Sequence, residues 1–226
     1  TPVVIEIDAL DLDSETAFAP SATAHTKVAF LQYTSGSTRT PAGVMVTHTN
    51  AVSNMVQMAS DTFELTGGMT PPELNVVSWM PFYHDLGLLG TVIYPMVLQV
   101  HTVHMSPMAF LAKPSRWMQE LAKAPVGFTG GPNFAYELAV RRTSDEDMAG
   151  LTLGNVHTFC FGAERIHAAT LRRFVDRFAK FDLNPAALRP GYGLAEASVY
   201  LTSNAPGNPP PTARFDYTKL AAGTAE

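Results

Sequence analysis

The chain has 226 residues, of which 46% are hydrophobic and 15% are charged, and this composition excludes an intrinsically disordered protein. A chain of this length can bury a sizeable core as one large domain or two small ones. Its formal net charge of −5 provides no basic surface, so nucleic acid is not an expected partner.

Strands and helices are predicted to alternate along the chain. A short strand at residues 3–7 and an acidic connector come first, and residues 28–34 and 43–47 then predict a strand, a loop and a second strand. Helical spacing predicts helices over residues 52–59, 116–123, 132–142 and 171–178, with Ser115 as the N-cap of the second and Pro132 as the first residue of the third. The remaining apolar runs predict strands over residues 76–80, 97–103, 126–129 and 156–161. This alternation favours an α/β fold with mostly parallel sheets flanked by helices, where ligands bind at the carboxyl ends of strands.

Cysteine content and hydropathy indicate in which cellular compartment the protein is expected. Cys160 is the single cysteine, so no disulfide can form within the chain, and a reducing cytoplasm is expected. Its aromatic neighbours favour a buried structural thiol over a nucleophile. The most hydrophobic run, residues 86–100, is shorter than the roughly 20 residues that a spanning helix needs, and it contains Pro95 and Gln99. No membrane span is therefore expected.

Residues 33–43, YTSGSTRTPAG, place seven Ser, Thr or Gly residues between two predicted strands. Such a cluster is either a solvent-exposed turn or a cradle in which backbone N–H groups and hydroxyls converge on an anion. A Walker P-loop is excluded, because no Gly-Lys-Ser/Thr sequence opens a helix here.

Three further polar motifs follow or precede predicted strands. They are PFYHDLGL at residues 81–88, FGAE at 161–164 and GYGLAEA at 191–197. His84 beside Asp85 is either an acid–base pair or a structural histidine, because the side chains of adjacent residues rarely point at each other. Taken singly, Glu164 and Glu196 favour solvated carboxylates near helix starts.

Taken together and in this order, the motifs resemble those of the adenylate-forming enzymes, the superfamily of acyl- and aryl-CoA synthetases, luciferases and nonribosomal-peptide adenylation domains. YTSGSTRTPAGV resembles their phosphate-binding loop, and GYGLAEAS resembles their Tyr-Gly-x-Thr-Glu motif. Four longer sequence segments are similar to those of mycobacterial-type fatty acyl-AMP ligases, namely LQYTSGSTRTPAGVMVTH, PFYHDLGL, GGPNFAYELAVRR and RPGYGLAEASVY. The resemblance is strongest over residues 27–203.

This resemblance implies a site for ATP and Mg²⁺. Tyr192 would stack on adenine, residues 162–164 would line the base pocket, and Glu196 and Thr34 would bind the metal, since Mg²⁺ takes carboxylate and phosphate oxygens together. The cofactor-binding residues implied are Thr34, Ser35, Gly36, Ser37, Thr38, Gly162, Ala163, Glu164, Tyr192, Gly193, Leu194 and Ala195.

The resemblance also implies where the acid binds. His84, catalytic together with Glu196, would lie beside the acyl carboxylate, and Gly130, Gly131, Asn133 and Phe134 would follow the acyl tunnel. The alternative for GGPNF is a helix start that needs a glycine turn.

Two residues depart from the family pattern in the phosphate loop. Arg39 stands where glycine is usual, and Ala42 stands where lysine is usual. Arg39 replaces the missing charge only if its side chain folds inward.

The implied reaction is activation of a long-chain fatty acid by ATP to acyl-AMP and pyrophosphate, followed by transfer to an acyl carrier protein or polyketide synthase. An acyl-CoA synthetase and a non-catalytic acyl- or nucleotide-binding module are the alternatives. Residues 1–26 are expected to form the first strand and connector, residues 27–203 the central part of a large N-terminal AMP-binding domain, and residues 204–226 an extended tail. The chain is expected to be a fragment that is inactive alone, because the family's mobile C-terminal domain and its lysine lie beyond the Tyr-Gly-x-x-Glu motif.

Overall fold

A computed structural model of the chain describes residues 26–34 and 42–225. The predicted strand at residues 3–7, the connector after it and residues 35–41 of the Ser/Thr-rich loop lie outside the described residues. The predicted cradle residues Ser35, Gly36, Ser37 and Thr38 therefore remain predictions, as does any compensating role of Arg39.

Two antiparallel strands flank the Ser/Thr-rich loop, as predicted. Strand β1 (Val28–Tyr33) pairs with β2 (Gly43–Thr47), and the register runs from Val28 opposite Thr47 to Tyr33 opposite Gly43. The backbone N–H of Thr34 donates to the carbonyl of Ala42 at 3.0 Å and extends the pairing by one step. The two ends of the loop are thus held together at the edge of a hairpin.

The main sheet has six strands in the order β4-β3-β5-β6-β7-β8. All neighbours are parallel except β7 and β8, which are antiparallel. The strands are β3 (Leu74–Ser78), β4 (His101–His104), β5 (Val126–Gly131), β6 (Val156–Phe161), β7 (Leu188–Tyr192) and β8 (Thr202–Ser203). This arrangement confirms the predicted mostly parallel α/β fold.

Helices connect the parallel strands. They are α1 (His48–Thr62), α2 (Asp85–Leu88), α3 (Tyr94–Leu98), α4 (Pro107–Ala112), α5 (Ser115–Lys123), α6 (Asn133–Arg142), α7 (Ala168–Phe178) and α8 (Tyr217–Ala221). A π-helical turn, Leu89–Ile93, joins α2 to α3, and short 3-10 turns occur at Glu64–Thr66, Ala179–Phe181, Pro185–Ala187 and Ala195–Ala197. Within the described part of the chain, none of these helices has the length and hydropathy needed to cross a membrane.

Several predicted element boundaries differ from the structure, among them the strand predicted over residues 76–80, which is β3 (Leu74–Ser78), and the helix predicted over residues 52–59, which is the longer α1 (His48–Thr62). Val97 belongs to helix α3 rather than to a strand, and β4 begins only after Gln99, whose φ of 57° turns the chain. Ser115 is the first residue of α5 and does not cap it, whereas Pro132 is the N-cap of α6 rather than its first residue. An apolar run alone does not distinguish a buried helix from a strand, and this is why the prediction for residues 97–103 was wrong at its start.

The core consists of two clusters, one on each face of the sheet. Val76 and Val77 are adjacent in β3 and enter different clusters, because successive side chains of a strand point to opposite faces. One cluster contains Trp117, Tyr136 and Phe174 from helices α5, α6 and α7, and the other contains residues of α1 and α3. Helices on both faces leave the carboxyl ends of the strands free for the loops described next.

Candidate functional site

A cleft of about 660 Å³ lies where the carboxyl ends of the central strands meet the β1–β2 hairpin. This volume falls in the range of about 300–1,000 Å³ typical of small-molecule sites. The cleft is lined by Gln32, Tyr33, Thr34, Ala42, Met58, Tyr83, His84, Asp85, Leu86, Cys160, Gly162, Ala163, Gly191, Tyr192, Gly193, Leu194, Ala195, Glu196, Val199 and Tyr200. It therefore joins three of the sequence motifs to both ends of the Ser/Thr-rich loop.

The loop after β3 places His84 on one wall of the cleft. His84 is the N-cap of α2, and its Nδ1 lies 2.8 Å from Oδ1 of Asp85. The expectation that the two adjacent side chains would point apart is therefore wrong, because both turn toward the first turn of the same short helix. The hydrogen bond to the Asp85 carboxylate raises the pKa of His84 above its usual value of 6.5, although burial opposes this.

Gly87 allows this tight turn. A Cβ at this position would lie 2.0 Å from the carbonyl oxygen of Pro81, which no side chain can tolerate. The glycine in PFYHDLGL is thus required by the close approach of the backbone, and it brings His84 to the cleft.

The opposite wall is the loop between β7 and β8. Tyr192 is 64% exposed at the end of β7, and the 3-10 turn Ala195–Ala197 carries Glu196 outward. A Cβ on Gly193 would lie 1.6 Å from the carbonyl oxygen of Val199, so only glycine permits this turn. The aromatic ring and the carboxylate are thereby presented to the same cleft by one tight loop.

The segment after β6 forms the floor. Gly162 and Ala163 line the cleft, and Ala163 adopts a φ of 65°, a left-handed conformation that is rare for residues other than glycine. Glu164 is exposed but does not line the cleft. Two of the three residues predicted to hold the base thus lie beside Tyr192, and the third lies outside.

The segment Gly130 to Phe134, predicted to follow the acyl tunnel, does not line the described cleft. A Cβ on Gly131 would lie 3.3 Å from Cζ2 of Trp79, and the ring of Phe134 packs edge-on against Trp79 at 5.8 Å. Asn133 Nδ2 donates to the carbonyl of Arg165 at 2.6 Å, so the side chain of Asn133 holds a loop. The role of these residues toward an acid stays a prediction.

Several lining residues were not identified from the sequence. Gln32 Nε2 donates to the carbonyl of Tyr83 at 3.5 Å and links the hairpin to the His84 loop. Cys160 also lines the cleft and is partly buried rather than buried as predicted, while desolvation raises the pKa of its thiol to about 11 and so disfavours the nucleophilic thiolate. The position of Cys160 at the end of a predicted strand was the available signal.

The charges of the cleft bear on which ligand it can hold. No lysine or arginine is among the described lining residues, and the Glu196 carboxylate has no hydrogen bond or ion pair with the part of the chain that the structure describes. No group of three or more His, Cys, Asp and Glu residues that could hold a metal ion occurs within residues 26–34 and 42–225. A single free carboxylate fits Mg²⁺, because this ion is usually held by one or two carboxylates together with substrate phosphates.

Thr34, the second predicted metal ligand, stands at the mouth of the Ser/Thr-rich loop. Its Oγ1 accepts a long hydrogen bond of 3.4 Å from the backbone N–H of Ala42. The hydroxyl therefore lies in the cleft with Glu196, and its contact with a metal remains a prediction.

Comparisons with known proteins agree with these features. The model of a family described as "AMP-binding enzyme" matches residues 3–223. Over 225 residues the chain is 52% identical to a 4-hydroxyphenylalkanoate adenylyltransferase of Mycobacterium tuberculosis, covering 100% of this chain and 36% of that protein. Over 224 residues it is 53% identical to a long-chain-fatty-acid–AMP ligase of Mycobacterium bovis, covering 99% of this chain and 38% of that protein.

A solved structure shows the same fold. The crystal structure of a fatty acyl-adenylate ligase from Legionella pneumophila, in complex with acyl adenylate and pyrophosphate, superposes with a TM-score of 0.75 at 36% identity. The match covers 85% of this chain and 33% of that one. The chain thus spans about a third of the length of each of these relatives.

Proposed function

Because the chain belongs to the AMP-binding enzyme family, we propose that the protein activates a long-chain carboxylic acid with ATP, giving an acyl-adenylate and pyrophosphate. The observation that carries this proposal is the cleft itself, in which Tyr192, Glu196 and His84 converge beside the two ends of the Ser/Thr-rich loop. An aromatic platform, a free carboxylate and an imidazole are the groups that such a reaction needs in one place.

In the proposed reaction, one carboxylate oxygen of the acid forms a bond to the α-phosphorus of ATP. The bond from that phosphorus to the oxygen bridging to the β-phosphate breaks, and its electron pair leaves with pyrophosphate. Catalysis rests on orientation and on charge stabilisation, since no covalent bond to the enzyme is required.

His84 is proposed to orient the acid. Its contact with Asp85 raises the pKa of the imidazole and favours the cationic form, which attracts a carboxylate. The side chain of His84 is 42% exposed, so a ligand in the cleft can reach it.

Tyr192 and Glu196 are proposed to hold the nucleotide from the opposite wall. The exposed ring of Tyr192 offers a stacking surface for adenine, and Gly162 and Ala163 leave room beside it. Mg²⁺, when bound through Glu196 and Thr34, would neutralise phosphate charge that no described lysine or arginine of the lining can meet.

The substrate class and acceptor are proposed from the relatives. A long-chain-fatty-acid–AMP ligase and a 4-hydroxyphenylalkanoate adenylyltransferase are both just over 50% identical to this chain, so the acid is proposed to carry a long apolar tail. Transfer of the acyl group to the phosphopantetheine arm of an acyl carrier protein or polyketide synthase is proposed as the second step.

The test is ATP–pyrophosphate exchange by the full-length protein that contains this chain, with fatty acids of 8 to 16 carbons and with a 4-hydroxyphenylalkanoic acid. Exchange that depends on the acid supports the proposal, and its absence with every acid contradicts it. Addition of CoA or of a phosphopantetheinylated carrier then identifies the acceptor. Acyl-CoA formation would support an acyl-CoA synthetase instead.

A further inference from the structure

We propose that Asn54, in helix α1, is a positioning residue that holds the Glu196 loop in place against the cleft. This inference rests on the proposed function of Glu196. Asn54 lies in α1, more than 140 residues before the loop, and it does not line the 660 Å³ cleft.

The side chain of Asn54 makes three hydrogen bonds to the backbone of the loop, and its Nδ2 also donates to Gln57 Oε1 at a long 3.5 Å. Its Nδ2 donates to the carbonyl of Tyr200 at 2.7 Å, and its Oδ1 accepts from the backbone N–H groups of Val199 at 3.2 Å and Tyr200 at 2.9 Å. Asn54 is only 7% exposed, so water cannot readily replace these partners. An amide donates from its nitrogen and accepts at its oxygen, so one side chain meets the carbonyl and the N–H groups of the loop at once.

The hydrogen bonds from Asn54 reach the residues against which the Glu196 turn closes. The Glu196 turn is closed by the approach of Gly193 to Val199, and Val199 is one of the two residues that Asn54 binds. A second, smaller cleft of about 280 Å³ on the other side of the turn is lined by both Asn54 and Glu196. A displacement of Val199 therefore displaces the turn that carries the carboxylate.

The same face of α1 holds the rest of the segment. Asp61 lies two turns after Asn54, and its Oδ2 accepts from Arg189 Nη2 at 2.7 Å and from the hydroxyl of Tyr200. Arg189 is 4% exposed and also donates to Ser203 Oγ at 3.2 Å. These contacts fix the strands β7 and β8, whereas Asn54 binds the backbone of Val199 and Tyr200 at the end of the loop, and Gln57 Nε2 donates to the next carbonyl, that of Leu201, at 3.4 Å.

Helix α1 also connects this loop to the β1–β2 hairpin beside the cleft. It follows β2 directly, and Thr47 and Asn50 form a reciprocal capping box at its start. Strand β2 in turn begins next to Ala42, where the Ser/Thr-rich loop ends. The helix thus links the β1–β2 hairpin to the segment that follows Glu196.

The test compares Asn54→Asp with wild type in the full-length protein. The substitution keeps the shape and the acceptor, but it turns the donor toward the Tyr200 carbonyl into a second oxygen. Asn155→Asp is the matched control, because Asn155 Nδ2 donates to the carbonyls of Leu121 and Ala124, and Asn155 does not line the cleft. Asn54→Ala, which introduces no charge, is used if Asn54→Asp does not fold.

Two measurements decide the inference. Amide hydrogen exchange of residues 194–203 should accelerate at least tenfold in the Asn54 variants and stay unchanged in Asn155→Asp. In pyrophosphate exchange, kcat/KM for ATP should fall at least tenfold, while KM for the acid stays within twofold of wild type. A purely structural role would instead lower kcat/KM for ATP and kcat/KM for the acid together.

Unchanged exchange of residues 194–203, or equal kinetic losses in the Asn54 and Asn155 variants, would overturn the inference. A wild-type protein that shows no pyrophosphate exchange with any acid would contradict the proposed function instead. The hydrogen-exchange result would then still decide whether Asn54 holds the loop.

Discussion

The ends of strands β5 and β7 both carry glycine, and they use it in opposite ways. At the end of β5, Gly131 is buried against the indole of Trp79, so the missing side chain makes room for an aromatic core. At the end of β7, Gly193 makes room for the backbone of Val199, and the turn that results is open to the cleft. A glycine in a motif therefore indicates that another group packs closely against the backbone at that position. Only the fold shows whether that group is a side chain, as at Gly131, or backbone, as at Gly193.

The difference predicts different consequences of substitution at the two strand ends. Changes at the β7 end should act on the proposed reaction, because Tyr192 and Glu196 face the cleft. Changes at the β5 end should act on stability, because Trp79, Trp117 and Phe134 pack together there. The loop after β3 contributes to both ends, since it contains Trp79 as well as His84.

The largest effect is expected for Glu196→Gln. Removing one preorganised group that stabilises transition-state charge, such as an oxyanion-hole donor, costs about 2.7–4 kcal/mol of barrier, or roughly 100- to 1,000-fold in rate, and we expect a loss of this order here. Pyrophosphate exchange by the full-length protein measures this loss, and circular dichroism checks the fold. Glu164→Gln is the matched control, because Glu164 is exposed outside the cleft. Exchange by Glu196→Gln within twofold of wild type would contradict the role of this carboxylate.

Gly193→Ala should have the next largest effect. Its Cβ would require the backbone of Val199 to move, and such overpacking costs about 1–3 kcal/mol of unfolding free energy. Urea unfolding measures the change. Gly191→Ala is the control, because its Cβ would meet Cys160 Sγ at an ordinary 3.6 Å. Equal stability of the two variants would show that the loop relaxes freely.

Gly131→Ala should cost about 1 kcal/mol of stability, since its Cβ would press on the indole of Trp79 at 3.3 Å. Thermal unfolding measures this loss, and KM values for acids of 8 to 16 carbons test the alternative. We expect KM to change equally for all chain lengths. A KM that rises with chain length would instead support the predicted tunnel along Gly130 to Phe134.

The smallest effect is expected for Asp85→Asn. The Asp85 carboxylate raises the pKa of His84 in the folded state. The contact between the two side chains therefore stabilises the fold below pH 6.5, and this stabilisation is lost as pH rises through the folded-state pKa of His84. Because His84 is partly exposed, the contribution should stay below about 1 kcal/mol. Urea unfolding at pH 5.5 and pH 8.5 should show destabilisation only at the lower pH. In a His84→Asn background, Asp85→Asn should show no such pH dependence.

Much of the fold could be predicted from the sequence, because its strands are short apolar runs at motif boundaries. The strand at 156–161 matches β6 in full, and the helical spacing around Leu171 matches α7. The strand predicted over residues 97–103 was wrong at its start. Pro95 fits within the first turn of helix α3 as readily as it interrupts a strand, so it did not mark the helix.

The candidate site could be predicted less completely. The motifs identified His84, Tyr192 and Glu196, which the fold brings to one cleft. Asn54 could not be found this way, because its partners are backbone atoms more than 140 residues away and no spacing rule connects them. The contact of His84 with Asp85 also depends on a helix start that sequence spacing does not specify.

The aromatic packing behind β5 also determines how the chain emits light. Its two tryptophans, Trp79 and Trp117, are both buried, and their rings lie 6.1 Å apart in an edge-on arrangement. The indole fluorescence of this chain therefore originates from one location, and neither fluorophore lines the cleft. A ligand that stacks on Tyr192 should leave the tryptophan emission maximum unchanged. A ligand whose tail reaches Phe134, which touches Trp79, should shift it.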